Sequence, residues 1–174
     1  TDAAVQALGA GDTLTDSITV RTVDGTATTV EITITGSNDV PLVTAGTGGV
    51  TEDNATATVS GTLNVTDVDA GESSFQAQSG APTTYGSFTI DTAGVWDYTL
   101  DNTNVAVQEL GAGDTLSDSI TVLTADGTAT TVTITITGSN DVPVVSTDTG
   151  GVTEDNATAT VSGTLTVADV DTVE

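Results

Sequence analysis

Polar and apolar residues alternate along most of the chain. Thr29–Thr35 reads Thr-Val-Glu-Ile-Thr-Ile-Thr, which puts Val30, Ile32 and Ile34 on one face. The same spacing returns at Val132, Ile134 and Ile136, with Ser119-Ile120-Thr121-Val122 just upstream. A period of two in β-branched residues, with Thr on the opposite face, predicts half-buried strands. The intervening Ala125-Asp126-Gly127-Thr128 is a hairpin signal, because Asp-Gly tolerates positive φ. Val59, Leu63 and Val65 mark another strand, Phe88 and Ile90 a further one, and Trp96, Tyr98 and Leu100 the next. Only Val105 to Leu110 reads as helical, a short turn stopped by Gly111. The pattern predicts about seven strands, near 40–45, 57–66, 74–78, 85–91, 95–101, 117–124 and 128–137. Short strands with one apolar face argue for an all-β, immunoglobulin-like Greek-key sandwich with Trp96 as its anchor.

The pattern also repeats on a longer scale. Leu8-Gly9-Ala10-Gly11-Asp12-Thr13-Leu14 returns as Leu110 to Leu116, Asn38-Asp39-Val40-Pro41 as Asn140 to Pro143, and Thr51-Glu52-Asp53-Asn54 as Thr153 to Asn156. The offset, Pro41 to Pro143, is 102 residues, and 1–72 agrees with 103–174 at about 57 of 72 positions. A period of this length means a tandem array of whole domains. On that reading 1–38 is the back part of one repeat, 39–140 a complete repeat and 141–174 the front part of a third. Copies this similar suit one mechanical or spacing task performed many times.

Charge changes the picture next. The 174 residues carry 25 Asp and Glu against a single base, Arg21, for a net charge of −24. Nothing here can neutralise phosphate, so nucleic acid and anionic membrane surfaces are excluded as partners. No apolar run has the length of a membrane span. Cysteine is absent, which excludes a disulfide framework and thiolate-bound metal. Thirteen acids and no base fall within 39–140, yet Val, Ile and Leu are plentiful enough for a core. A charge that no protein cation balances calls for a dissolved one. Carboxylate oxygens without His or Cys select calcium over zinc or copper, and calcium is abundant outside cells.

The candidate ligands follow from spacing. Asp67-Val68-Asp69-Ala70-Gly71-Glu72, with its copy from Asp169 and Asp171 to Glu174, offers several oxygens within one turn, without the spacing of an EF-hand. Asn38-Asp39 and Asn140-Asp141 precede proline, either as ligands or as a stiff linker. Glu52 and Asp53, their copies Glu154 and Asp155, and Asp101 complete the set, with solvated loops as the alternative. Asp24 and Asp126 are turn residues first. Asp12 and Asp114 follow Gly in a turn. Asp91, Asp97, Asp118 and Glu109 read as surface acids or local caps. Catalysis has no support in the residue types. With no His or Cys a Ser nucleophile lacks its base. A glycosidase carboxylate pair would need an aromatic-lined cleft, and the chain has one Trp, two Tyr and two Phe.

Three motifs carry a resemblance to a known family. They are Gly61-Thr62-Leu63-x-Val65-x-Asp67-Val68-Asp69, Tyr85-Gly86-Ser87-Phe88-x-Ile90-x-x-x-Gly94-x-Trp96-x-Tyr98-x-Leu100-Asp101-Asn102, and Gly138-x-Asn140-Asp141-Val142-Pro143. The chain resembles the VCBS-type, cadherin-like tandem repeats of giant bacterial RTX adhesins secreted by the type I route. That resemblance implies a cell-surface extender of calcium-stiffened sandwiches, serving attachment and biofilm formation. The order of Glu52, Leu100-Asp101, Asn140 to Pro143 and Asp169-Val170-Asp171 is also similar to cadherin linkers, where calcium sits between domains. Asn102 stands where cadherins carry Arg. In such a sandwich Glu52, Asp101 and the last-strand exit share one pole, and Asp169 and Asp171 sit at the facing pole of the next repeat. The implied partners are neighbouring repeats of the same chain. Two alternatives stay open, an extracellular filament of identical chains and a glycan-binding module.

Overall fold

The alternating stretches form strands, and two short helical turns are the exceptions. A computed structural model describes residues 2–155 and 159–171. In chain order the elements are α1 (Ala3–Gln6), β1 (Thr13–Arg21), β2 (Ala27–Thr35), β3 (Leu42–Val43), β4 (Gly46–Thr51), β5 (Thr58–Thr62), β6 (Val65–Thr66), β7 (Gln78–Pro82), β8 (Gly86–Ile90), β9 (Val95–Leu100), α2 (Val105–Gln108), β10 (Thr115–Leu123), β11 (Ala129–Thr137), β12 (Val144–Val145) and β13 (Val167–Ala168).

The two larger sheets pack as a β-sandwich. One sheet has the order β5-β9-β8-β7 and the other β10-β11-β4. Neighbours within these sheets are antiparallel except β4, which runs parallel to β11 from Gly46 opposite Val132 to Thr51 opposite Thr137. This one parallel pairing positions the site described below. It sets the turn after β4 beside the exit of β11.

The core lies between the sheets. Phe88, Ile90, Trp96, Tyr98 and Leu100 from one side meet Ile120, Val122, Val132, Ile134 and Ile136 from the other, all buried. Trp96 stacks on Phe88 with ring centroids 6.0 Å apart. Each large aromatic buries roughly 150–250 Å², a gross gain of about 4–6 kcal/mol at 25 cal/mol per Å².

Strand β4 is where the hydrophobic pattern falls silent, because Gly46-Thr47-Gly48-Gly49 has no apolar alternation. Its glycines make room for bulk elsewhere. A Cβ on Gly46 would lie 2.8 Å from Leu63, one on Gly48 3.0 Å from both Trp96 and Ile134, and one on Gly61 of β5 2.5 Å from the Trp96 ring. The strand expected near 40–45 is reduced to β3, paired with β6. The stretch 57–66 divides into β5 and β6. The strand expected at 74–78 is displaced to β7, since Phe75 bridges to Thr124 of the opposite hairpin instead.

Hairpin β1–β2 keeps the register of β10–β11. Its apolar face is nevertheless open. Ile18, Val20, Val30 and Ile32 are 44–51% exposed, whereas Ile120, Val122, Val132 and Ile134 are at most 7% exposed. The difference is the covering sheet with Trp96, which no described residues supply to β1–β2.

Asp118 is a correction to the surface role expected of it. It is buried, and its Oδ2 accepts from the Tyr98 hydroxyl at 3.0 Å and the Tyr85 N–H at 3.1 Å. Burial alone would raise its pKa. The hydrogen bonds outweigh that and hold the carboxyl below the usual range. Burial, reinforced by the adjacent Asp118 charge, pushes the Tyr98 hydroxyl up.

Candidate functional site

The parallel pairing of β4 and β11 delivers Glu52 to the chain exit, where the Glu52 N–H donates to Thr137 O at 3.1 Å. The Glu52 side chain is 2% exposed. Its Oε1 accepts from the Ser139 N–H at 2.8 Å, while its buried Oε2 has no donor. Asp53 takes a left-handed φ of 54°, a conformation costly for a residue with a Cβ. Asn102 holds it there from both sides. The Asp53 N–H donates to Asn102 Oδ1 at 3.1 Å, and Asn102 Nδ2 returns a bond to Asp53 Oδ1 at 2.8 Å. Gln108 Nε2 adds a third at 3.3 Å.

From the far side comes the loop after β13. The Asp141 N–H donates to Asp171 Oδ2 at 3.0 Å, and the Asp171 N–H to Asp169 Oδ1 at 3.2 Å. Asp171 is buried and its Oδ1 has no donor. Burial, then the charges of Asp53, Asp141 and Asp171, push the Glu52 carboxyl up, although its bond from Ser139 opposes this. Burial, then Asp53 and Asp171, do the same to Asp141.

The arrangement recurs where 1–38 meets 39–140. The Asp39 N–H donates to Asp69 Oδ2 at 2.7 Å, and the Asp69 N–H to Asp67 Oδ1 at 3.0 Å. Asn38 Nδ2 reaches Asp39 O at 2.7 Å, as Asn140 Nδ2 reaches Asp141 O at 2.6 Å. Here Asp67, Glu72 and Asp126 each offer one carboxylate oxygen within 4.8 Å of the others. Asp67 Oδ2, Asp69 Oδ1 and Glu72 Oε2 are buried without a donor. Burial, followed by Asp69, Asp67, Asp126 and Asp12, raises the Glu72 carboxyl. Like charges about 4 Å apart repel by about 1 kcal/mol in water and about 4 at an effective dielectric of 20.

Asp126 is the turn residue that its Asp-Gly context predicts. It accepts from the Thr124 and Thr128 hydroxyls and from the Thr128 N–H at 3.1 Å. Those bonds, the Thr124 hydroxyl foremost, hold its carboxyl at about 2. Its place beside Asp67 and Glu72 follows from the hairpin it turns. The β10–β11 turn lies at the same pole of the sandwich as the 67–72 loop.

Asp101 stands apart from both clusters. It caps its own turn, accepting from the Thr103 N–H at 2.9 Å and hydroxyl at 2.6 Å, and the hydroxyl chiefly lowers its pKa. Glu154 and Asp155 are exposed, Asp155 with a φ of 58° like Asp53. Glu174, the counterpart of Glu72, and Asn156 lie outside the described residues. Both clusters offer oxygen only, with orphaned buried oxygens that suit a hard cation of six to eight ligands. No described helix is long and apolar enough to cross a membrane.

Residues 38–138 match the bacterial cadherin-like domain, and the chain belongs to that family. No curated protein matches it. Among solved structures it is similar to PcdhgB3 EC1-4 in 50 mM HEPES, at 13% identity over 90% of this chain and 48% of that one, with a TM-score of 0.45. It is also similar to the protocadherin gammaB7 EC3-6 cis-dimer structure, at 14% identity over 93% of this chain and 43% of that one, with a TM-score of 0.40. The chain thus spans about half the length of the solved chains it matches.

Proposed function

We propose that the chain is a calcium-stiffened spacer of a secreted bacterial surface adhesin, with 39–140 as one complete module between parts of two neighbours. The observation that carries this reading is the pair of joints with buried, donorless carboxylate oxygens in a chain whose single base lies elsewhere. Glu52, Asp53, Asp141, Asp169 and Asp171 would hold calcium at one joint, with Asn140 in the linker. Asp39, Asp67, Asp69, Glu72 and Asp126 would do so at the other, beside Asn38. Bound calcium supplies positive charge that converts mutual repulsion into a clamp, and a row of clamped sandwiches holds a binding tip away from a cell, in attachment and biofilm formation. Calcium titration of the 174-residue chain, followed by calorimetry and small-angle scattering, tests the reading. Binding should raise the melting temperature by linkage and lengthen the particle. No heat of binding and an unchanged size in chelator would refute it. Asp169→Asn combined with Asp171→Asn should reduce calcium stoichiometry and leave the 39–140 core folded.

The near-identical copies along the chain also suit a second reading, a self-associating filament subunit. Concentration-dependent sedimentation in calcium would support it, and a monomer throughout would reject it.

A further inference from the structure

We propose that successive modules are also joined by a contact that needs no metal. The turn from Leu8 to Asp12 is a seat for the following Asp69 loop, and the turn from Leu110 to Asp114 is the seat for the Asp171 loop. The inference rests on reading 39–140 as one module among neighbours. The seat is built the same way twice. Asp12 N–H donates to Gly9 O at 3.1 Å and Gly36 N–H to Asp12 O at 2.8 Å; Asp114 N–H donates to Gly111 O at 3.0 Å and Gly138 N–H to Asp114 O at 2.9 Å.

On one side each turn lies against its own strand exit so closely that a Cβ on Gly36 or Gly138 would fall 2.3 Å from the Gly9 or Gly111 carbonyl oxygen. On the other side it meets the next module. A Cβ on Gly9 would lie 3.6 Å from Asp69 Cβ and 2.9 Å from Glu72 Oε1, and one on Gly111 would lie 3.8 Å from Asp171 Cβ. At the first joint the Ala70 N–H crosses to Ala7 O at 3.1 Å. This bond joins two backbone groups and spends no carboxylate oxygen. The turns at Gly9 and Gly111 come within van der Waals reach of the acidic loops, and so position Asp69 and Asp171 before any cation arrives. Removing calcium then softens the joint without releasing it.

The test is amide exchange by NMR on the full chain, in calcium and in chelator. The Ala70 amide, at an exposed position, should exchange about tenfold or more slowly than a free loop amide in both conditions. Gly9→Val, which puts a branched side chain against Asp69 and Glu72, should abolish that protection while the β8 amides of Phe88 and Ile90 keep theirs. Free exchange of Ala70 in chelator, with calcium binding intact, overturns the seat and leaves the calcium reading standing. Protection in both conditions with no calcium binding does the reverse. Retained Ala70 protection in Gly9→Val also overturns the seat. Should that variant lose its β8 protection, the chelator measurement on the unaltered chain decides alone.

Discussion

Replacing Glu52 by Gln should change stability in opposite directions with and without calcium. Gln keeps an acceptor for the Ser139 N–H, so the 2.8 Å bond survives. What disappears is one negative charge from a buried position that feels Asp53, Asp141 and Asp171. A single like-charge contact near 4 Å costs between about 1 kcal/mol in water and about 4 at a dielectric of 20. Solvent on the exposed Asp53 places the net relief toward the lower end, at about 1–2 kcal/mol. For a sandwich of this size, 1 kcal/mol moves the melting point by about 4–8 °C. In chelator the variant should therefore melt several degrees above the parent. In millimolar calcium it lacks a ligand. Losing a charged ligand is expected to weaken the site about a hundredfold, about 2.8 kcal/mol at about 1.4 per decade, which exceeds the relief, and at saturating ion that loss falls on stability by linkage. The variant should then melt below the parent. Differential scanning calorimetry of both proteins in both buffers gives the four numbers. A shift of one sign in both buffers refutes the reasoning. A uniform drop makes Glu52 an ordinary hydrogen-bonded acid, and a uniform rise means that no cation reaches it.

Other expectations concern the core and the clamp on Asp53. The folded pKa of Asp118 is depressed, so its contribution is present above the unfolded value of about 3.8 and is lost as pH falls through the folded value. Asp118→Asn should cost about 1–3 kcal/mol at pH 7 and flatten the acid limb of a stability–pH curve below about pH 4; an unchanged acid limb would contradict this. Gly61→Ala forces a methyl to 2.5 Å from the ring of Trp96, and overpacking of that kind costs about 1–3 kcal/mol. Trp96, the single tryptophan, reports it directly through near-ultraviolet circular dichroism. Asn102→Ala removes two of the three side-chain bonds that hold Asp53 at positive φ, and isothermal titration should show weaker calcium binding with the core intact; undiminished affinity would mean that Asp53 needs no such support.

The strands were legible wherever side chains alternate, because period-two patterning is the direct imprint of a half-buried sheet. Val132, Ile134 and Ile136 illustrate this. Strand β4 was not legible, since its residues are chosen for the Trp96 ring opposite rather than for themselves. Asp118 could have been placed from register alone. It lies two residues before Ile120 and four before Val122, on the face that turns inward. Composition exposed the acids of the candidate site, and the 102-residue repeat grouped them. Which of them converge depends on loop geometry that spacing does not encode. Asp126 is drawn in by the pole its hairpin occupies, and Asp101 is withheld by the neighbouring Thr103. The glycines of the seat carried no chemical signal at all.

Because β4 runs alongside β11 in the same direction, the entry to the sandwich and its exit lie at opposite ends of one ladder. A tensile load applied through the flanking segments drags these two strands past each other lengthwise. The pairs from Val132 with Gly46 to Thr137 with Thr51 then share the load at once, instead of peeling open singly. On the proposed reading of modules strung end to end, this pairing would bear traction along the axis of the row.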